Sequence, residues 1–111
     1  MITTHVLDIG RGIPAAGVAV RLEACREARW VIVSSGRTDE RGRLTSLTAE
    51  RAVTPGVYRL TFDIGAYQRD RGLRSFFPEA QVTFEVPADD DGHFHVPLVI
   101  SPYGYSVYRG T

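Results

Sequence analysis

The sequence predicts an all-β fold, a sandwich of two sheets built from seven to eight short strands with one short helix. Three features carry that expectation. Apolar and polar residues alternate with period two in several segments. Clusters of Gly, Pro and Asp punctuate those segments at short intervals. Only one stretch, Ala66 to Arg71, has the pattern of a helix, a turn or two long. With 111 residues the chain fits one domain, residues 1–111, large enough to bury a core without metals or several disulfides.

Each element follows from its own residues. At the N-terminus Ile2, Thr4 and Val6 share one side of a strand, and Thr3, His5 and Leu7 the other. GRGIPAAG, Gly10 to Gly17, is a turn; its glycines precede Pro14 and a strand rather than a helix N-terminus, which excludes a dinucleotide-binding fingerprint. Val18, Val20 and Leu22 then alternate with Ala19, Arg21 and Glu23, and Trp30 to Val33 forms the next strand. TDERGR (Thr38 to Arg43) and TPG (Thr54 to Gly56) are turns. Tyr58, Leu60 and Phe62 alternate with Arg59 and Thr61, and beyond the helix Val82, Phe84 and Val86 alternate with Thr83 and Glu85, as in sheets with one wet face. PADDDG follows. Asp89, Asp90 and Asp91 lack the remaining ligands of a calcium loop, so this is a solvated hairpin turn. Phe94 to Ser101 and a short Ser106 to Arg109 complete the set, and strands at this spacing pack as a sandwich.

Charge and composition exclude several classes. Formal net charge is zero and hydrophobic residues make up 43%, so nothing asks for nucleic acid or an anionic membrane as partner. All thirteen basic residues are Arg, with no Lys and no Asn, a bias that makes Arg abundance uninformative; only position makes one Arg special. Cys25 is the sole cysteine, which rules out an internal disulfide, fits a reducing compartment and reads as a small buried hydrophobe. MITTHVLD has no basic segment followed by an apolar one, and no stretch approaches the roughly 18 apolar residues of a membrane span, so the cytoplasm is the expected location.

The histidines are the chemically suggestive residues. In the strand FHVPLVIS the row of Phe94, Val96, Leu98 and Ile100 belongs to the core, which leaves His93, His95, Pro97, Val99 and Ser101 on the outer face. That face is partly apolar, and such a face usually meets a subunit or a ligand. His5 repeats the pattern on the first strand. His93, at the mouth of the ADDDG turn, reads as solvated. Two readings remain open from the pattern: unrelated surface or interface histidines, or a zinc site in which His5 joins His93 and His95.

HVLDIGRGIPAAGVAV (His5 to Val20), RTDERGR, FFPEAQVTFEV and the terminal FHVPLVISPYGYSVYRGT resemble the transthyretin family, in particular its 5-hydroxyisourate hydrolase branch, along the whole chain. The branch is marked by a His in HVLD, an Arg in a Gly-Arg step after a turn, a His in HVPL and a terminal Tyr-Arg-Gly-Ser. Here these fall on His5, Arg43, His95 and Tyr108 to Thr111, with Thr in place of Ser. The resemblance implies a transthyretin-like sandwich assembled as a homotetramer, a dimer of dimers, with sites in channels between dimers. A chain that ends at YRGT can place its last side chains in a channel wall.

The implied reaction opens the cyclic amide ring of 5-hydroxyisourate with water, giving 2-oxo-4-hydroxy-4-carboxy-5-ureidoimidazoline in urate degradation. Acyl transfer to water needs a base, a charge stabiliser and orientation. On this reading His95 is the leading base, His5 its partner and Arg43 the charge stabiliser, while Tyr108, Arg109, Gly110 and Thr111 bind substrate. Arg109 has a second possible role, pairing with a carboxylate to hold the tail; Thr111 offers a hydroxyl and a carboxylate. Neither cofactor nor metal is expected. The alternative is a non-catalytic small-molecule binding or transport module on the same fold.

Overall fold

The computed structural model describes residues 1–49, 51–90 and 92–111. Nine strands and one helix are present among the described residues: β1 (Ile2–Asp8), β2 (Ile13–Pro14), β3 (Ala19–Arg26), β4 (Arg29–Arg37), β5 (Arg43–Leu44), β6 (Gly56–Phe62), α1 (Ile64–Asp70), β7 (Ala80–Val86), β8 (Phe94–Ser101) and β9 (Gly104–Val107). They form two sheets. One has the order β2-β1-β8-β9, with β5 also paired to β1; the other has the order β4-β3-β6-β7.

Alternation selects the faces that meet. Val18, Val20, Leu22 and Ala24 of the β3 segment, Tyr58, Leu60 and Phe62 of β6, and Phe94, Val96, Leu98 and Ile100 of β8 are all buried in one cluster with Ile2 and Val6. Full burial of an aliphatic or aromatic side chain is worth about 1.5–3 kcal/mol over exposure, so this cluster dominates the favourable side of folding. The helix closes one end of the sandwich. Asp63 caps it by accepting a hydrogen bond from Ala66 N, and its buried face is Ile64, Gly65, Tyr67 and Gln68, the three-to-four spacing of one helical side. Tyr67 donates to Asp8 Oδ2 (3.0 Å) and Gln68 Nε2 to the Ser101 carbonyl (3.0 Å), which ties α1 to the ends of β1 and β8. Burial and the Asp8 contact raise the Tyr67 phenol above its usual value, keeping it a donor.

Several boundaries differ from the sequence expectation. The helix starts two residues earlier than Ala66, because Asp63 can cap and Ile64 finds the core. β4 runs well past Val33, held by β3 along its length across a register shift at Leu22/Glu23. The last strand is Gly104–Val107 rather than Ser106 to Arg109, since Ser101 to Gly104 makes the tight return that pairs β9 with β8. Cys25 is exposed, not buried: it lies at the far end of β3 with parity opposite to Leu22 and Ala24, on a hairpin that projects beyond the core. In the acidic turn Gly92 N donates to Asp90 Oδ1, while Asp91 lies outside the described residues.

One pairing decides where chemistry can occur. β1 runs parallel to β8 over its whole length, with Thr3 opposite His95 and His5 opposite Pro97. Along its other edge β1 pairs with β5, placing Arg43 opposite His5. Residues from both ends and the middle of the chain therefore share the outer face of one sheet.

Candidate active site

On that outer face Thr3, Arg43, Thr45, His93, His95, Arg109, Gly110 and Thr111 line an open cleft of about 510 Å³. Five of the seven residues singled out from sequence, Arg43, His95, Arg109, Gly110 and Thr111, come together here. His5 stands beside the cleft, two residues along β1 from Thr3 and opposite Arg43. Tyr108 does not line it. That residue borders a neighbouring apolar cleft of about 240 Å³ with Phe84, Phe94, Val96 and Val107.

The turn before β5 is built to present Arg43. Asp39 Oδ1 accepts from the backbone N–H groups of Arg41 (2.8 Å) and Arg43 (2.9 Å), and those two bonds hold its carboxyl below the usual carboxylate range. Gly42 has φ of +77°, and a Cβ there would lie 2.4 Å from the Val6 carbonyl oxygen, so only glycine lets the turn lie flat on β1. The same turn orients His5, whose Nε2 donates to the Arg41 carbonyl at 2.9 Å. A carbonyl can only accept, so His5 carries its proton on Nε2 when neutral.

His95 is half-buried at the junction of β1, β8 and the C-terminal segment. Its Nδ1 lies 2.8 Å from Thr3 Oγ1, and the same hydroxyl lies 2.6 Å from His93 Nε2. No hydrogen bond engages His95 Nε2 among the described residues. Burial lowers the pKa of His95 below 6.5, and the nearby His93, Arg43 and His5 lower it further. A neutral imidazole with an unengaged nitrogen beside a guanidinium can take a proton from water while the cation stabilises an oxyanion.

The terminal residues close one side of this cleft. Gly110 N donates to the His95 carbonyl at 2.8 Å, an isolated bridge that lays the tail across β8. A Cβ on Gly110 would fall 2.6 Å from His95 Cδ2, so glycine is what lets the backbone pass against the imidazole. Arg109 donates to Asp90 Oδ2 at 3.2 Å with its guanidinium 5.1 Å from the centre of the Phe94 ring. It thus does what the second sequence reading allowed, pairing with a carboxylate, while still lining the cleft.

Two features escaped sequence reasoning. Thr3 is buried between the two histidines; alternation put it on the same face as His5, but only strand pairing brings it to His95. His93 is exposed, as a residue at a turn should be, yet it is hydrogen-bonded rather than merely solvated. The rings of His93 and His95 are 5.9 Å apart, and among the described residues no group of three or more His, Cys, Asp or Glu side chains is arranged to hold a metal ion.

Comparison with known proteins agrees with this geometry. The chain is 42% identical over 111 residues to the 5-hydroxyisourate hydrolase of Salmonella typhimurium, covering all of this chain and 81% of that one. It is 38% identical to the mouse 5-hydroxyisourate hydrolase, covering 99% of this chain and 94% of the relative. Among solved structures, Klebsiella pneumoniae 5-hydroxyisourate hydrolase superposes with a TM-score of 0.86 at 37% identity, covering 99% of this chain and 97% of that one. Sea bream transthyretin in complex with thyroxine superposes with a TM-score of 0.92 at 29% identity, covering 99% and 94%. Backbone shape therefore does not separate the two branches, whereas identity is higher toward the hydrolases. The model of the HIUase/Transthyretin family matches residues 2–110, and the chain belongs to that family.

Proposed function

We propose that this protein is a 5-hydroxyisourate hydrolase that opens the cyclic amide ring of its substrate in urate degradation. The observation that carries the reading is the convergence of His95 and Arg43 in one cleft, in a chain with full-length hydrolase relatives at 36–42% identity. His95 Nε2 takes a proton from water, the resulting hydroxide adds to the ring carbonyl, and the Arg43 guanidinium balances the charge on the carbonyl oxygen; collapse of this adduct breaks the ring C–N bond, and the proton on His95 Nε2 passes to the departing nitrogen. His5, fixed by the Arg41 carbonyl, orients the substrate from the β1 side with its remaining nitrogen. Arg109, Gly110 and Thr111 form the opposite wall, with Tyr108 joining substrate binding from the adjoining cleft.

The active form is a homotetramer, a dimer of dimers, built from one domain of residues 1–111 and located in the cytoplasm. Supporting assembly, Tyr103, Tyr105, Val107 and Tyr108 are exposed on or beside the edge strand β9, next to the open cleft. Solution mass should be about four times 12.3 kDa. A fully active monomer would sink the interfacial site.

The competing reading is a binding module, which the high likeness to a thyroxine-bound transthyretin brings forward. The cleft lining favours hydrolysis, because two imidazoles and two guanidiniums suit a planar, oxygen-rich ring better than an apolar ligand. The test is to generate 5-hydroxyisourate from urate in situ and follow its ultraviolet decay with and without the protein. Decay no faster than the spontaneous rate would remove the hydrolase reading.

A further inference from the structure

Thr3 Oγ1 is a single hydroxyl wedged between two imidazole nitrogens, at 2.6 Å from His93 Nε2 and 2.8 Å from His95 Nδ1. Thr3 is 1% exposed, so water does not compete for it. A hydroxyl has one proton to donate. If it donates to one ring, it must accept from the other, and the two tautomers are coupled.

Only two arrangements satisfy all three groups. In the first, His95 Nδ1–H donates to Thr3, Thr3 donates to His93 Nε2, and His95 Nε2 keeps its lone pair. In the second every bond reverses: His93 Nε2–H donates to Thr3, Thr3 donates to His95 Nδ1, and the proton of His95 sits on Nε2, where no base can act. We infer that Thr3 and His93 are positioning residues that hold His95 in the first arrangement, and that a proton added to His93 forces the second and switches the base off. This rests on His95 being the base in the proposed hydrolysis.

The surroundings favour the first arrangement while His93 is neutral. Arg43 from β5, Arg109 from the tail and Thr111 with its terminal carboxylate line the cleft, His5 stands beside it on β1, and Asp90 is paired with Arg109. Arg43 is in no ion pair among the described residues, and its charge beside His95 attracts a lone pair and repels an N–H dipole. An imidazolium at His93 has donors on both nitrogens, so Thr3 can then only accept from it and donate to His95. During turnover the balance also closes. The water proton goes to His95 Nε2, Nδ1–H stays donated to Thr3, and Thr3 stays donated to His93. No bond has to be rebuilt when the charge appears.

The experiment uses the intact protein with ¹⁵N-labelled histidine. The chain has three histidines, so every ring nitrogen can be assigned. At a pH where His93 and His95 are both neutral, His95 Nδ1 should be protonated and Nε2 bare; a protonated Nε2 there would overturn the proposal, whatever the activity. Thr3→Val should mix the two forms and lower kcat by roughly tenfold, as loss of a partner that orients an imidazole does, with KM little changed. Thr3→Ser should restore both the spectrum and kcat. His93→Gln, whose amide oxygen accepts but cannot be protonated, should keep the tautomer and lose the acid-driven reversal. Wild-type kcat in Thr3→Val would overturn the positioning role even if that variant's spectrum changed. Absence of turnover in the wild type would remove the hydrolase reading instead, and the nitrogen spectrum would still decide the tautomer.

Discussion

Gly110→Ala is the smallest change that reaches the proposed base from outside. The added Cβ would stand 2.6 Å from His95 Cδ2 and 3.2 Å from Pro97 Cγ. Carbon atoms in contact ordinarily rest about 3.5–4.0 Å apart, so the imidazole must retreat by about 1 Å or the tail must lift off β8. Pro97 is buried, so the ring, the freer of the two, yields first. Its retreat also works against the 2.8 Å bond to Thr3. A displacement of about 1 Å in a catalytic group costs on the order of a hundredfold in turnover. Stability should change far less, by within about 1 kcal/mol, because the tail around Gly110 is largely exposed and no core contact is lost. The assay is steady-state decay of 5-hydroxyisourate beside a thermal melt. A variant that melts like the wild type and loses turnover supports the contact; one that retains wild-type kcat refutes it.

Further expectations follow from the same geometry. His95→Ala and Arg43→Ala should each lower turnover by roughly a hundredfold or more, read by the same decay assay on folded protein. Asp39→Ala frees the two backbone donors that shape the Arg43 turn, and should reduce kcat/KM while leaving the far-ultraviolet spectrum unchanged. In His93→Gln, burial, Arg43 and His5 still depress the His95 pKa, so the acid limb of kcat/KM should lie on the acid side of 6.5. The sign is that of a base disfavoured in its charged form: activity is full above 6.5 and lost only as pH falls through the lower folded value; a limb above 6.5 would contradict the cited surroundings. Deleting Arg109 to Thr111 should abolish most activity while leaving the apparent mass on a sizing column unchanged; Thr111→Ser, which keeps the hydroxyl, should be neutral by the decay assay.

The strands were legible in the sequence where the period-two pattern is long. Val18 to Ala24, Tyr58 to Phe62 and Phe94 to Ile100 turned out to be core rows because burial itself imposes the alternation. β2 and β5 were not legible, since two residues have no period, and β5 carries Arg43. Parity correctly separated His95 from the core and grouped Thr3 with His5. It could not say that β1 lies beside β8, because alternation within a strand holds no information about its neighbour. The hydrogen bonds of Thr3 therefore had no sequence signal, and neither did the approach of Gly110 to the imidazole. The family resemblance pointed to His5, Arg43 and His95; the pairing of β1 with β5 and β8 is the physical reason they are near one another.

The parallel pairing of β1 with β8 also has a meaning for synthesis. Thr3 meets its two histidines across 90 and 92 residues of chain. Contacts at that separation form late, after the intervening loop has been closed. While the ribosome still holds residues beyond β7, the second sheet of β3, β4, β6 and β7 can already pair, but β1 has no partner for its β8 edge. An unfinished chain is thus a half-sandwich with an unpaired strand edge beside an uncovered apolar face, the kind of surface that invites misassociation. Catalytic competence and protection of that edge arrive in one event, when the final strands dock on the first.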